Sequence, residues 1–351
     1  MELLGIDIGF GFTKATNGQD MLIFKSLFGD AKEMQFWADF GENVEEDYFH
    51  VTIEGRSYFV GNLAEQQSNV RQFTLDQDKL ISDFIKIFAI TATGKFYGSE
   101  VPINVVSGLP IGYFKKNQER FSKTLRGYHD VTYQKPDGSK ISKKIYINKV
   151  RMMPQPLGTI INLLMDENGK IINKELEKQK VGVIDIGFRT TDFTIFDRLQ
   201  YIDRGSSTLD TGISKAFSVI ATKLQERSGV NIEVYRLYKA VESGFIKMKG
   251  HGFDFSKIRD KIFAQLATRI ASDVDRLWTE DWDIDVIVLT GGGSVELAKH
   301  LQPLISGNVM PVKNDIDARL NNVQGYYKFG KYIWGESGLG EHPPVQEKND
   351  T

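Results

Sequence analysis

The pentapeptide Ile-Asp-Ile-Gly-Phe occurs twice in the chain, at residues 6–10 and 184–188, which places Asp7 and Asp185 178 positions apart. An apolar run, Glu2 to Ile8 and Lys180 to Ile186, ends in each copy and reads as a buried strand. Two further strand-like segments follow each time: Phe12 to Thr16 and Met21 to Lys25, then Thr190 to Phe196 and Leu199 to Asp203. Asn17-Gly18 between the first two is a strong hairpin signal. A repeat this long is a duplicated domain rather than a short-period solenoid. The length of 351 residues suits two domains.

Between the copies, Leu80 to Ala92 carries apolar residues at helical spacing, and Val101 to Val106 is a strand running into Ser107-Gly108-Leu109-Pro110. Tyr128 to Val150 reads as a hairpin around Pro136-Asp137-Gly138, and Leu157 to Met165 as an apolar helix. After the second copy come helical segments at Ser214 to Glu226, Glu233 to Val241 and Ile258 to Trp278. A buried strand, Ile284 to Leu289, then leads into Thr290-Gly291-Gly292-Gly293-Ser294 and a helix. The tail after Gly335 is polar, contains Pro and Gly, and reads as mobile.

Composition removes several function classes. The 23 Phe, 13 Tyr and 4 Trp within a 41% hydrophobic chain can fill real cores, which excludes a disordered protein. A net charge of −2 supplies no global field for nucleic acid, so no direct nucleic-acid partner is expected. The absence of Cys excludes disulfides, a thiolate nucleophile and cysteine metal sites, and agrees with a reducing compartment. The first residues lack a basic, apolar signal pattern and no apolar run approaches 18 residues, so the expectation is a cytoplasmic protein without a membrane partner. Gly-x-x-x-x-Gly-Lys-Ser/Thr, Gly-x-Gly-x-x-Gly after the first strand, and Gly-x-Ser-x-Gly are all absent, and the five His show no metal-ligand spacing.

A strand–turn–strand with Gly at the turn can present backbone N–H groups to an anion, with no Cβ to keep it away. An Asp at the end of each preceding strand supplies two carboxylates suited to Mg²⁺, a hard cation that keeps several waters while holding phosphates. Lys14 can reach a phosphate as a compact charge. A single Asp-x-Gly is more often an ordinary hairpin turn. Two copies and a later Gly triplet favour the phosphate cradle. Gly291, Gly292, Gly293 and Ser294, between a strand and a helix, can admit a nucleotide against bare backbone, although a lone Gly triplet is more often a loop.

In this order the motifs resemble those of the actin, sugar kinase and chaperone ATPase superfamily, and within it the bacterial and archaeal actin-like proteins of the ParM/StbA type. The resemblance rests on Asp7 to Lys14, Pro154-Gln155-Pro156, Asp185 to Asp192, Thr290 to Ser294 and a helix near Ile316 to Lys331, with softer likeness at Ser107 to Pro110 and Asn322 to Gly330. It implies an α/β fold of duplicated actin-like (ribonuclease H-like) domains, with mixed five-stranded sheets flanking a nucleotide cleft. Domain I would comprise 1–155 plus about 316–351, with a small insert at about 29–75; domain II would comprise 156–315, with a helical insert at about 208–280.

The resemblance further implies ATP/ADP and Mg²⁺, the cation held through waters by Asp7 and Asp185. Gly9, Gly11, Gly187 and Thr190 would line the phosphates, with Phe10 and Phe12 in the first turn and Lys14 on a phosphate. Gln155 would orient the attacking water, since an amide is a poor proton acceptor; its alternative is a helix-start residue between two prolines. Lys239 would pack near adenine or lie on a solvated helix face. Phe10 and Arg189 depart from the family's small turn residues, and Arg189 could clamp phosphates or point to solvent. The implied activity is ATP hydrolysis coupled to self-assembly into filaments, for plasmid DNA segregation through a DNA-binding adaptor or for intracellular positioning. The alternative is a small-molecule kinase of the same fold.

Overall fold

The computed structural model describes residues 2–32, 48–99, 101–310 and 317–335. Part of the expected insert at 29–75, the start of the expected helix at Ile316 and the tail after Gly335 lie outside the described residues. The chain divides into two compact units: unit 1 is Met1–Leu109, Tyr113–Lys174 and Asn322–Thr351, and unit 2 is Pro110–Gly112 and Glu175–Asn321.

Unit 1 contains strands β1 (Glu2–Ile8), β2 (Phe12–Thr16), β3 (Met21–Lys25), β4 (Phe28–Asp30), β5 (Tyr48–Ile53), β6 (Arg56–Gly61), β7 (Arg71–Gln72), β8 (Pro102–Leu109), β9 (Gly127–Gln134) and β10 (Lys140–Pro154). They form one sheet in the order β3-β2-β1-β8-β10-β9-β5-β6-β4-β7. The five-stranded sheet expected here, β3-β2-β1-β8-β10, is therefore half of a ten-stranded one. The cause is the 15-residue length of β10: Tyr146 to Pro154 pairs parallel with β8, while Lys140 to Ile147 pairs antiparallel with β9. The expected helix from Leu80 opens as a π-helical turn, Leu80–Phe84, and continues as Ile85–Phe96. Phe84 and Phe88 of this segment meet Phe24 and Phe28 edge-on, which fixes the segment against the sheet. The helix Ile111–Leu125 lies beyond the sequence reading; Leu109-Pro110 marks its approach, and its mostly polar sequence buries one face through Asn117, Phe121 and Leu125.

The boundary also differs from the expected 155/156 and 315/316, falling at 174/175 and 321/322. The reason is a backbone-to-backbone approach of helix Gln155–Leu164 to helix Asn321–Trp334. A Cβ on Gly325 would overlap the Gly158 carbonyl oxygen, and one on Gly158 would run into the Tyr326 ring. Beside that approach, Thr159 Oγ1 lies 2.9 Å from Asn322 Oδ1. The first helix thus packs in unit 1.

Unit 2 holds β11 (Lys180–Ile186), β12 (Thr191–Asp197), β13 (Gln200–Leu209), β14 (Phe245–Met248), β15 (His251–Asp254), β16 (Val286–Thr290) and β17 (Val309–Met310). Its main sheet is five-stranded, in the order β13-β12-β11-β16-β17, with β11 antiparallel to β12 and parallel to β16. β1 stands in the same relation to β2 and β8, so the duplication extends to topology. Helices Ser214–Ser228 and Ser256–Leu277 cover the core through Phe217, Ile220, Phe263, Ile270 and Val274. The expected helical insert at 208–280 is interrupted by the β14–β15 hairpin, and Glu233 to Val241 splits into a 3-10 turn and the helix Tyr238–Ser243.

Gly325→Ala should cost unit 1 about 1–3 kcal/mol, because overlap with backbone cannot be relieved by a rotamer change. Urea unfolding against the wild type checks this, and an unchanged midpoint contradicts the close approach.

Candidate functional site

In unit 1, Asp7 is one residue from the end of β1 and directly opposite Lys14 on β2. Lys14 Nζ lies 3.2 Å from Asp7 Oδ2, and Gln155 Nε2 donates to Asp7 Oδ1 at 3.2 Å. Gln155 arrives there because β10 runs parallel to β8 up to Pro154, leaving Gln155 to open the next helix. Asp7 is only 4% exposed, so its charge is offset by a lysine and an amide rather than by bulk water. The structure therefore brings together three of the residues singled out in the sequence.

The turn after β1 is closed by Gly9 N–H donating to Phe12 O at 3.1 Å. Ser26 braces it: its Oγ donates to Gly9 O at 2.6 Å and lies 3.0 Å from Thr13 Oγ1, while its N–H donates to Gly11 O at 2.9 Å. Sequence reasoning missed Ser26, a lone Ser following a strand with no motif to flag it. Phe10 is 6% exposed, so its side chain anchors the turn in the core instead of presenting a group to a ligand.

The second copy repeats the geometry. Gly187 N–H donates to Thr190 O at 2.9 Å, and Asp185 is directly opposite Asp192, which takes the place of Lys14. Asp192 is buried, and its carboxylate accepts from the Ile111 N–H at 3.0 Å and from the Thr208 hydroxyl. Burial foremost, with the neighbouring Asp185 charge, pushes its pKa up to about 7 against the opposing hydrogen bonds from Thr208, Ile111 and Thr190. The entry to helix Ser214–Ser228 closes onto the turn: the N–H groups of Gly212, Ile213 and Ser214 donate to the carbonyls of Arg189, Gly187 and Phe188 at 2.8, 3.1 and 2.7 Å. Arg189 Nε lies 3.3 Å from Asp210, so the guanidinium expected as a phosphate clamp or a solvent-facing group has an acidic partner.

Gly291 has φ of +86°, and a Cβ there would overlap the Asp185 carboxylate. Only glycine meets both constraints without strain. The helix expected after the triplet starts inside it, at Gly292–Leu301. Ser294 is fully buried and its Oγ donates to Gly291 O at 2.8 Å, so its hydroxyl shapes the loop. Lys239 is exposed on the short helix Tyr238–Ser243, next to Tyr238, whose ring lies 5.3 Å from that of Phe188 in the second turn. Among those residues no group of three or more His, Cys, Asp or Glu gathers as a metal site, and no helix is long and apolar enough to cross a membrane.

Residues 5–158 match the family of actin-like proteins, N-terminal domain, and residues 183–303 match the C-terminal domain of the archaeal actin homologue MreB-like family. The chain belongs to the actin-like proteins. A 15-stranded ParM filament from Clostridium botulinum is 25% identical over 94% of this chain and 99% of that one, with a TM-score of 0.80. An archaeal actin homologue is 20% identical with a TM-score of 0.78 over 94% of this chain and 99% of that one. Bacillus thuringiensis ParM with ADP is 19% identical with a TM-score of 0.69 over 93% and 97%. The last two establish likeness of fold. No curated protein matches the chain.

Asp192 generates a pH prediction. Its carboxyl is raised from the ordinary 3.8 to about 7, so the folded state binds more protons than the unfolded state between those values. Stability contributed by this group is full below about pH 3.8, falls as pH rises towards 7, and is level above. Asp192→Asn should flatten that part of the curve, checked by urea unfolding from pH 4 to 8. An identical pH profile in the variant contradicts the shift.

Proposed function

We propose that this actin-like protein binds ATP with Mg²⁺, hydrolyses it, and assembles into filaments of its own copies. The observation that carries the reading is the duplicated, glycine-closed turn with a buried aspartate at its strand end, in unit 1 joined to Lys14 and Gln155. The ParM filament and the ADP-bound ParM support it as similar proteins. Within this reading the protein is cytoplasmic, and its filaments position cargo such as plasmid DNA through a DNA-binding adaptor.

The residues fit the group they would hold. Asp7 and Asp185 are each near-buried carboxylates near a strand end, hard oxygen donors of the kind that Mg²⁺ takes while keeping several of its own waters. When bound, it supplies charge neutralisation of the transferred phosphoryl group. Lys14 adds a point charge beside Asp7, while Gly9, Gly11 and Gly187 let backbone approach the phosphates, with Thr190 beside the second turn. Gly291 to Gly293 offer bare backbone to the nucleoside. Gln155, held to Asp7 through its NH₂, keeps its carbonyl oxygen as an acceptor that orients the attacking water.

Light scattering with ATP, ADP and no nucleotide, followed by negative-stain imaging, tests the reading. A protein that stays monomeric at every concentration with ATP points instead to a small-molecule kinase. Because water orientation matters as the transition state forms, Gln155→Ala should lower kcat on the order of 10²-fold while ATP affinity changes little. Phosphate release and nucleotide titration check this; unchanged hydrolysis leaves Gln155 as a helix-start residue.

A further inference from the structure

Residues 126–151 hold seven Lys and Arg against two Asp, in a chain whose net charge is −2. The segment runs through β9 and β10 of unit 1, and successive side chains of a strand point to opposite faces. Lys143 Nζ donates to Tyr97 O at 3.0 Å and the Tyr133 hydroxyl donates to Thr91 O at 2.6 Å, so these two residues face the helix Ile85–Phe96. Residues of the other parity face away from it: Tyr128 and Thr132 on β9, and Lys140, Ser142, Lys144 and Tyr146 on β10. The register shift between Ile147 and Lys149 adds one residue to β10, which keeps Lys149 and Arg151 on that same outer face. Their β8 partners, Asn104 and Val106, follow Pro102, the partner of Tyr146, in steps of two.

Lys140, Lys144, Lys149 and Arg151 are exposed, and none of them forms an ion pair among the described residues. Asp130, opposite Lys144, is the one carboxylate that β9 and β10 put on this face. Hydroxyls lie beside the cations. Thr132 Oγ1 is 2.8 Å from Ser142 Oγ and Thr52 Oγ1 is 2.7 Å from Ser57 Oγ, and because Thr52 is opposite Thr132 the two pairs form a row across four strands. Each pair uses one O–H internally and leaves the other to donate outwards. Tyr128 is 64% exposed, with its ring 4.6 Å from that of Tyr146 and the Lys144 ammonium 5.6 Å from its centre. An aromatic ring held in place beforehand loses little entropy when a partner covers it.

We propose that this outer face of β9 and β10 binds single-stranded nucleic acid directly. Cations spaced along one strand match a chain of phosphates, the free hydroxyls suit phosphate and sugar oxygens, and the Tyr128 ring offers an unstacked base a surface. A lipid surface takes up apolar side chains, and this face exposes no aliphatic one among the described residues; the exposed Ile141 has the parity of Lys143 and is on the helix side. A duplex keeps its bases paired and stacked, which leaves Tyr128 without one to cover it. The expectation of no direct nucleic-acid partner came from the charge of the whole chain, which averages this face with acidic residues elsewhere. The contact needs neither a second copy nor an adaptor, so it does not rest on the filament reading.

Fluorescence anisotropy of a labelled oligothymidine strand of about 16 nucleotides, titrated with the full chain, tests this. Saturable binding is expected, with a slope of log affinity against log salt near −3, since four cations each contribute about 0.7. Lys149→Ala combined with Arg151→Ala should roughly halve that slope. Tyr128→Ala should weaken binding on the order of 10-fold, while Tyr128→Phe keeps the wild-type affinity, because stacking uses the ring and not the hydroxyl. These variants alter exposed side chains, and urea midpoints matching the wild type confirm that each is folded. Absence of binding at low salt overturns the proposal. So does an affinity indifferent to Tyr128→Ala, or equally tight binding of the matching duplex. Sedimentation with phosphatidylserine vesicles in place of oligonucleotide binding overturns it as well and assigns the face to a membrane.

Discussion

The glycine N–H that bonds the carbonyl three residues on, Gly9 to Phe12 and Gly187 to Thr190, is the constraint on which each copy of the turn depends. It reverses the chain within four residues, and in doing so fixes which residue on the returning strand faces the aspartate at the end of the outgoing one. That position is Lys14 in the first copy and Asp192 in the second. Identical turns thus carry opposite electrostatics. The first carboxylate is balanced by an ammonium at 3.2 Å. The second faces another carboxyl group, and burial makes that group hold its proton to near neutral pH. The duplication preserved the backbone device and let the charge across from it diverge.

Support for each turn comes from distant sequence, and it differs between copies. In unit 1 the brace is Ser26, following β3; in unit 2 it is the three N–H groups at the entry to helix Ser214–Ser228. Both satisfy turn carbonyls that would otherwise lack partners away from water. The helix entry in unit 2 also leaves its first amides satisfied without a side-chain cap, which Ile213 could not supply. Phe188 extends this support inwards, with its ring 5.6 Å from Phe217 and 5.3 Å from Tyr238.

What was legible in the sequence follows from these physics. The strands β1, β2, β11 and β12 are short apolar runs bounded by glycine, and the repeated pentapeptide alone marks them as two copies of one arrangement. The trio Asp7, Lys14 and Gln155 was legible as candidates, and only the register of β1 with β2 and the end point of β10 bring them into contact. The ten-stranded sheet was not legible, because nothing in Tyr128 to Val150 distinguishes a free hairpin from one whose long strand serves two neighbours. Ser26 and the bonds of Asp192 depend on packing rather than on motif. The β14–β15 hairpin hid in a segment with Lys249-Gly250 as its turn, a weaker signal than Asn-Gly.

Unit 2 joins these features through one core. The Gly187–Arg189 turn receives the first amides of helix Ser214–Ser228, which packs on helix Ser256–Leu277. Phe188 touches Tyr238 on the helix just before β14, so the turn and the β14–β15 hairpin are separated by one six-residue element. Cores this dense yield by small shifts of whole elements rather than by continuous deformation. A change in the carbonyl positions of the turn would therefore be felt as movement of these helices. The buried Asp281 cluster resists the same movement at the far end, where Arg204 and Lys180 join β13 and β11 to the Trp282 turn. The Trp282 turn is thus fastened to the sheet, and the β14–β15 hairpin to the unit 2 core through Ile246, Met248 and Phe253.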